Sequence, residues 1–182
     1  MNTKSKRAGF TMLETLITLV ILCTVFASAS YVESSAAGLL SSSTNVDYMQ
    51  EKASQALETI AADARWAEGA AFLITPQFGS SRLDFPIATG YVGGVTTWSP
   101  TITYVVQPSS IDANGDGVLN EGRLVRIENG KTHLLCDYVV AGGFTAVRNG
   151  QNVVLQIRLA LKDYRTKRVM NVNEQTSISL RN

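Results

Sequence analysis

Histidine and cysteine are scarce in this chain. Its 182 residues include one histidine, His133, and two cysteines, Cys23 and Cys136. A zinc site uses three or four cysteine, histidine or carboxylate ligands, so two cysteines and one histidine do not predict one. Cys23 lies in an apolar segment and Cys136 lies far along the chain, so we expect the two thiols not to meet and predict no structural disulfide.

Motifs for catalysis are also missing. The chain contains no His-Glu-x-x-His, no Gly-x-Ser-x-Gly and no phosphate-binding glycine loop. His133 and Cys136 stand three residues apart in a predicted strand, where they point to opposite faces. They therefore do not predict a nucleophile pair, and His133 is expected to be a strand residue with a solvated tip. We predict a non-catalytic protein with no required cofactor.

Basic residues are not in excess beyond the first nine positions. Lys4, Lys6 and Arg7 are three of the 16 basic residues, which leaves 13 against 15 acids and a net charge of −2. A protein that binds nucleic acid through its globular part usually carries a basic surface. We therefore predict no nucleic-acid partner.

One long apolar run is present near the N-terminus. Residues 15–32 are 18 consecutive residues without a charge. Counted from Phe10, the apolar run has 23 residues and includes one acid, Glu14. About 20 apolar residues span a membrane as a helix, and the basic leader should stay on the cytoplasmic side. Glu14 lies in the front of this run. A carboxylate at the centre of a membrane helix costs about 2.5–3.5 kcal/mol, and less near its end.

Three interpretations of this segment compete. Ala27-Ser28-Ala29 resembles the cleavage site of a secretory signal, which would release a secreted adhesin lacking Glu14. A lipoprotein signal ending at Cys23 is excluded, because Leu22 stands where a small residue is needed. The third interpretation is a permanent anchor in which Glu14 has a charged partner.

The third interpretation is supported by a resemblance. The leader Lys4-Ser5-Lys6-Arg7 is followed by Gly9, Phe10, Thr11, Glu14 and the apolar helix. This arrangement resembles the N-terminus of type IV prepilins, a family that includes the pseudopilins of type II secretion. The resemblance implies that a membrane peptidase cuts after Gly9 and methylates the amino group of Phe10. It also implies that Glu14 pairs with the terminal amine of a neighbouring subunit, an attraction that is strong at low dielectric.

The resemblance also implies partners and a location. The partners are the prepilin peptidase, other pilin or pseudopilin subunits, an inner-membrane assembly platform and membrane lipid. The chain would be anchored in a bacterial inner membrane with its globular domain outside the cytoplasm, and would then enter a periplasmic pseudopilus or a surface pilus. The sheet region resembles a J-type pseudopilin or a W-type minor pilin more than a major pilin.

The chain continues beyond the membrane as a predicted amphipathic helix over 33–70. Apolar residues recur at steps of three and four: Val46, Met49, Ala53, Leu57, Ile60, Ala64 and Ala67. Charged residues, including Asp63, occupy the remaining positions and predict a solvated face. Asp63-Ala64-Arg65 resembles the acid-x-Arg pair of minor subunits, with ordinary surface charges as the alternative. Gly38 and the serines at 41–43 predict a weak point or bend.

The second half of the chain has a strand pattern. Strands are predicted at 102–106, 123–127, 133–140, 153–161 and 177–180, with an irregular hairpin or loop over 89–99. Asn129-Gly130 and Asn149-Gly150 are hairpin turns. One long helix followed by antiparallel strands indicates an α+β fold in which the sheet covers the amphipathic helix, as in pilins. The predicted organisation is a cleaved leader at 1–9, a transmembrane half-helix at 10–32, an amphipathic half-helix at 33–70 and a β-rich domain at 71–182.

An acidic loop is the one candidate metal site. Oxygen donors alternate at its first, third and fifth positions with glycine at the sixth, which is the front half of an EF-hand calcium loop. The candidate calcium ligands are Asp112, Asn114, Asp116, Val118 through its carbonyl, Asn120 and Glu121. Arg123 stands at the twelfth position, where a bidentate acid is needed, so Glu121 would have to close the site. The alternative is a polar turn with Asx hydrogen bonds and no metal. A membrane-anchored calcium-binding module outside any filament therefore competes with the pilin interpretation.

Overall fold

A computed structural model describes residues 11–67 and 69–180. The chain divides into two compact units, 1–41 and 42–182. Helix α1, Met12–Arg65, has 54 residues and begins in the first unit. Every side chain from 11 to 36 is exposed. By length and composition α1 can cross a membrane. Cys23 is an exposed free thiol and Cys136 a buried one.

The helix ends earlier than the sequence pattern predicts. We place its end near residue 70, but α1 ends at Arg65 and a short 3-10 helix follows at Gly69–Ala71. The amide of Trp66 donates to the carbonyl of Asp63, and the amide of Ala67 donates to the carbonyl of Ala64. These bonds reach back three residues rather than four and tighten the last turn. Ala67 lies two residues beyond the end of α1 and is still buried, so the apolar pattern continues past the helix.

Within the described part of the second unit, nine strands follow the helix and the short 3-10 turn. In chain order they are β1 Leu73–Gln77, β2 Ser80–Phe85, β3 Ala88–Val92, β4 Val95–Trp98, β5 Ile102–Pro108, β6 Gly122–Glu128, β7 Lys131–Asn149, β8 Asn152–Lys162 and β9 Val169–Ser179. Seven form one antiparallel sheet in the order β1-β2-β5-β6-β7-β8-β9, and β3 pairs with β4 in a separate hairpin. The fold is α+β and pilin-like, as predicted.

Each predicted strand overlaps an observed one, although the predicted strand 177–180 extends one residue past the end of β9, and two observed strands are much longer than predicted. β9 pairs with β8 over its whole length, from Val169 to Ser179. β7 runs on through a register shift between Val139 and Phe144. The hairpin over 89–99 is present and irregular, with a shift between Ala88 and Gly90. β1 and β2 are not predicted, because Pro76 and a run of polar residues hide their alternation.

One face of α1 contributes to the core of the second unit. The apolar stripe is confirmed, since Met49, Ala53, Leu57, Ile60, Ala64 and Ala67 are buried and Val46 packs against them. Ala56 and Ala61 widen this face. The stripe shares its core with the buried sheet residues Leu83, Phe85, Tyr104, Phe144 and Leu155. Full burial of one large apolar side chain contributes about 1.5–3 kcal/mol, so this face holds the C-terminal part of α1 in the unit.

Candidate functional site

The candidate site at the N-terminus lies partly within the described chain. Gly9 and Phe10 fall outside the described residues, whereas Glu14 lies in the first turn of α1. Its carboxylate atom Oε2 accepts hydrogen bonds from the Thr11 amide at 2.9 Å and the Thr11 hydroxyl at 3.0 Å. The Glu14 amide donates to the Thr11 hydroxyl at 3.3 Å. Thr11 and Glu14 therefore form a capping box around the start of the helix.

This cap gives Glu14 a local role that the sequence analysis missed. The signal was available, because Thr-x-x-Glu immediately before an apolar helix is the pattern of a capping box. The cap satisfies amide groups that have no helical partner and places a negative charge at the positive end of the helix dipole. Within the described residues, Oε1 of Glu14 has no hydrogen bond. As far as the described residues go, one carboxylate oxygen is thus available at the start of α1.

The acidic loop between β5 and β6 folds around its first carboxylate. Oδ1 of Asp112 accepts from the amides of Gly115 at 2.6 Å and Asp116 at 3.1 Å, and Oδ2 accepts from Gly117 at 2.9 Å. Gly117 has φ +87°, which glycine adopts without strain. Asp116 accepts from the Val118 amide at 2.7 Å, and this bond lowers the pKa of the Asp116 carboxyl. Asx hydrogen bonds therefore organise the predicted front half of the loop.

The last predicted ligand, Glu121, differs from the others by being buried. It is 2% exposed, and its Oε1 accepts from the Asn114 amide at 3.4 Å. Its Oε2 is buried and has no partner among the described residues. Val118 and Asn120 are exposed. Across residues 11–67 and 69–180, no group of three acidic, histidine or cysteine side chains is arranged to hold a metal.

A partly buried polar network joins the end of α1 to the sheet. Nε of Arg126 on β6 donates to Oδ2 of Asp63 at 2.8 Å, and the Tyr104 hydroxyl on β5 donates to the same oxygen. Glu128 pairs with the other side of the Arg126 guanidinium. Burial, and then the bond to Asp63, raise the pKa of Tyr104, so its proton is firmly held.

This network corrects the expectation that Asp63 lies on a solvated face. The Asp63 side chain is 20% exposed and that of Arg126 is 15% exposed. Arg126 stands 63 positions further along the chain, so no local pattern reveals the pair. Arg65, the other half of the predicted acid-x-Arg pair, is exposed at the helix end. Asp63 therefore fastens the helix end to the sheet.

The remaining candidate side chains show no shared site. His133 is exposed and Cys136 is buried. The expectation that they point to opposite faces is wrong, because a register shift in β7 places His133 opposite Arg126 and Cys136 opposite Leu124, which lie two residues apart on one face of β6. Burial raises the pKa of the Cys136 thiol to about 12, which keeps it protonated at neutral pH. Tyr104 and Tyr138 lie on strands, whereas Tyr164 lies in the turn after β8 and is 79% exposed.

The comparison with protein families identifies the N-terminal segment. No curated protein and no solved structure matches the chain significantly. Residues 4–30 match the family model of the prokaryotic N-terminal methylation motif. The matched segment contains Gly9, Phe10 and the capped Glu14, and it extends through most of the apolar run. The chain thus bears the N-terminal signature of the type IV prepilin and pseudopilin family, joined to an α+β pilin-like fold.

Proposed function

We propose that this chain is a non-catalytic minor subunit of a type II secretion pseudopilus or a type IV pilus. The observation that carries the proposal is the methylation motif at residues 4–30, with Glu14 in the first turn of α1. The prepilin peptidase cuts after Gly9, and Phe10 becomes the methylated N-terminus. The subunit then passes from the inner membrane, through the assembly platform, into the filament.

Glu14 is the assembly residue in this proposal. Its carboxylate is fixed at the helix start by Thr11 through Oε2, while Oε1 has no described partner. A neighbouring subunit would bring its terminal ammonium group to Oε1. An unpaired carboxylate at membrane depth has a high free-energy cost, and an ion pair with an ammonium group lowers that cost. Glu14 therefore favours subunits that pack in register.

The sheet domain is the adaptor in this proposal. The apolar face of α1 and the Asp63–Arg126 pair hold the end of the helix against the sheet. Such attachment would let a force applied through the helix reach the adaptor domain. The free thiols fit a minor subunit better than a major pilin whose C-terminal loop is closed by a disulfide. The J-type and W-type minor subunits are the proposed subtypes.

The first experiment is the intact mass and N-terminal peptide of the chain isolated from its native membrane. The proposal expects a chain that begins at N-methylated Phe10. A start at Ser30 would overturn it, because the mature chain would then lack Glu14 and be a secreted protein.

The second experiment separates a filament subunit from a simple membrane anchor. Glu14→Gln removes the charge and keeps the size of the side chain. We expect loss of the chain from the sheared or extracted filament fraction, with processing at Gly9 retained. Glu33→Gln is the matched control, since Glu33 is also an exposed acid on α1 but follows the apolar run. Filaments that still incorporate the Glu14→Gln chain would rule out the proposed assembly role.

We also propose calcium binding at the acidic loop as a second function. Asp112, Asn114 and Asp116 would supply side-chain oxygens, the Val118 carbonyl and Asn120 further ones, and Glu121 the closing carboxylate. The observation that favours this proposal is Oε2 of Glu121, which is buried without a partner among the described residues. A cation would satisfy this oxygen.

Calcium titration of the unfolding temperature tests this second function. We expect calcium to raise the melting temperature of the wild-type chain and to leave that of the variant Asp112→Asn/Asp116→Asn unchanged, because binding to the folded state alone stabilises it. Asp47→Asn/Glu51→Asn is the charge-matched control on an exposed face of α1. An unchanged melting temperature for the wild-type chain in millimolar calcium would exclude the site.

A further inference from the structure

The two edge strands of the seven-stranded sheet differ. Strand β1 has five residues and contains Pro76, whereas β9 has 11 residues and contains no proline, glycine or lysine. β9 also pairs with β8 from end to end without a register shift. Proteins keep other strands from pairing with a sheet edge by short strands, prolines, bulges and charged side chains. The edge at β1 is therefore protected, while β9 is long and regular and carries one charged residue, Glu174.

The outer edge of β9 offers unpaired backbone groups. Within the described residues, β8 is the only strand that pairs with β9. Every second residue of an edge strand directs its amide and carbonyl away from the sheet. Over the length of β9 this gives a row of donors and acceptors with which an extended peptide can pair.

A groove of about 490 Å³ lies beside this edge, between β9 and the part of α1 in the same unit. Side chains alternate along a strand, so every second residue from 170 to 178 lies on one face of β9. Met170, Val172 and Ile178 on this face are buried. Glu174 and Thr176 lie between them and are partly exposed, so the apolar face is interrupted where the groove opens. The residues that α1 contributes to the groove include Ser54, Glu58, Ala62 and Arg65.

The walls of the groove carry two acids and one base. Glu174 lies on β9, and Glu58 and Arg65 lie on α1. None of the three forms an ion pair with a described residue. A charge directed inward from an edge strand disfavours pairing with a strand whose side chains are all apolar. A basic side chain would instead bring the opposite charge to Glu58 and Glu174, so the groove favours a basic strand.

We infer that the groove binds an extended, basic segment of a partner protein, which pairs with β9 as an additional strand. Main-chain hydrogen bonds to β9 supply affinity, and alternate side chains of the segment face the groove and supply selectivity. A lysine or arginine of the segment lies beside Glu58 and Glu174. Ser54 and Ala62 are small, exposed residues on the opposite wall and leave space for these side chains. The inference gives the sheet domain a binding surface, and it depends on neither filament assembly nor calcium.

Binding of synthetic peptides to the full chain in detergent tests the groove. The probe is a fluorescent Thr-Val-Lys-Val-Thr-Val-Lys-Val peptide, whose lysines and threonines share one face when it is extended. The first control peptide has glutamate in place of both lysines. Two further peptides are N-methylated, one at the valine amides and the other at the threonine and lysine amides. Only one of these two sets of amides can face β9, so one N-methylated peptide should lose main-chain bonds and bind about tenfold more weakly or worse.

Variants of the chain test the same groove from the other side. Glu58→Gln/Glu174→Gln should weaken binding of the lysine peptide severalfold, since an exposed ion pair contributes up to about fivefold. Asp47→Asn/Glu51→Gln removes the same charge from an exposed face of α1 outside the groove and should leave binding unchanged. Ala62→Phe fills the groove from an exposed helix position and should abolish binding. Gln55→Phe is its matched control, because Gln55 is exposed on α1 but does not line the groove.

Fluorescence anisotropy measures the affinities, and hydrogen exchange locates the contact. The lysine peptide should slow the exchange of amides in 169–179, and the glutamate peptide should not. Failure of the lysine peptide to bind at millimolar concentration would overturn the inference, as would equal binding of both N-methylated peptides or unchanged binding to Ala62→Phe. Protection of 169–179 that rises with the concentration of the chain alone would also overturn it, because a second copy would then occupy the edge.

Discussion

The carboxylate of Glu14 accepts hydrogen bonds from both the amide and the hydroxyl of Thr11, at 2.9 Å and 3.0 Å. The residue proposed to join one subunit to the next is therefore already held by its own helix. A carboxylate that is positioned in advance loses less side-chain entropy when an amine arrives. Thr11 is thus a positioning residue for Glu14.

Thr11→Val should impair filament assembly while leaving processing intact. Valine keeps the shape of threonine but loses the hydroxyl that bonds Glu14, and such a cap contributes about 0.5–2 kcal/mol. Thr11→Ser keeps the hydroxyl and should assemble like the wild type. The measurement is the amount of subunit in isolated filaments relative to total processed chain. Equal assembly of the valine and serine variants would show that the cap does not position Glu14.

Asp63→Ala should lower the free energy of unfolding by about 2 kcal/mol. The substitution leaves the buried Tyr104 hydroxyl without its acceptor, and it leaves Glu128 as the only carboxylate paired with Arg126 among the described residues. Tyr104→Phe should cost about 1 kcal/mol, the value of one net hydrogen bond. Asp47→Ala, an exposed change on the same helix, should stay within about 0.5 kcal/mol of the wild type. Urea unfolding of the chain in detergent measures all three, and similar values for Asp63→Ala and Asp47→Ala would mean that the network does not stabilise the fold.

Ser42→Ala should destabilise the chain at neutral pH but not in acid. The bond from Ser42, followed by the Arg165 amide, lowers the pKa of the Asp163 carboxyl. A carboxyl with a lowered folded-state pKa stabilises the fold above its unfolded pKa, about 3.9, and this contribution is lost as the pH falls through the folded value. The difference in melting temperature between wild type and Ser42→Ala should thus be present at pH 7 and shrink as the pH falls below the unfolded pKa of about 3.9. A difference that stays constant from neutral to acid pH would mean that Asp163 is not the group concerned.

Cys136 should resist thiol reagents in the folded chain. Burial raises its pKa to about 12, so at pH 8 the reactive thiolate is almost absent. In a Cys23→Ser background, we expect a disulfide reagent to modify Cys136 only after urea is added. Rapid modification of the folded chain would show that β7 opens around this position.

Features that depend on neighbouring residues could be predicted from the sequence, whereas contacts between distant residues could not. The apolar run and Glu14 lie within a few turns of one helix, and the buried stripe repeats every three or four residues, so both are visible in the sequence. The capping box was equally local and could have been found. β2 was missed although Leu83 and Phe85 are fully buried, because the polar residues Ser80, Ser81 and Arg82 begin the strand and hide its alternation.

The sequence by itself determined the N-terminal methylation signature, the length and composition that allow the first helix to cross a membrane, and the α+β order of elements. Each of these depends on contiguous residues and on the periodicity of the backbone. Only the tertiary structure decided that Asp63 meets Arg126, that Glu121 is buried beside an acidic loop and that Ser42 holds the loop after β8. These contacts join residues that are far apart in the chain or depend on the path of a loop, so they exist only once the sheet has packed against the helix.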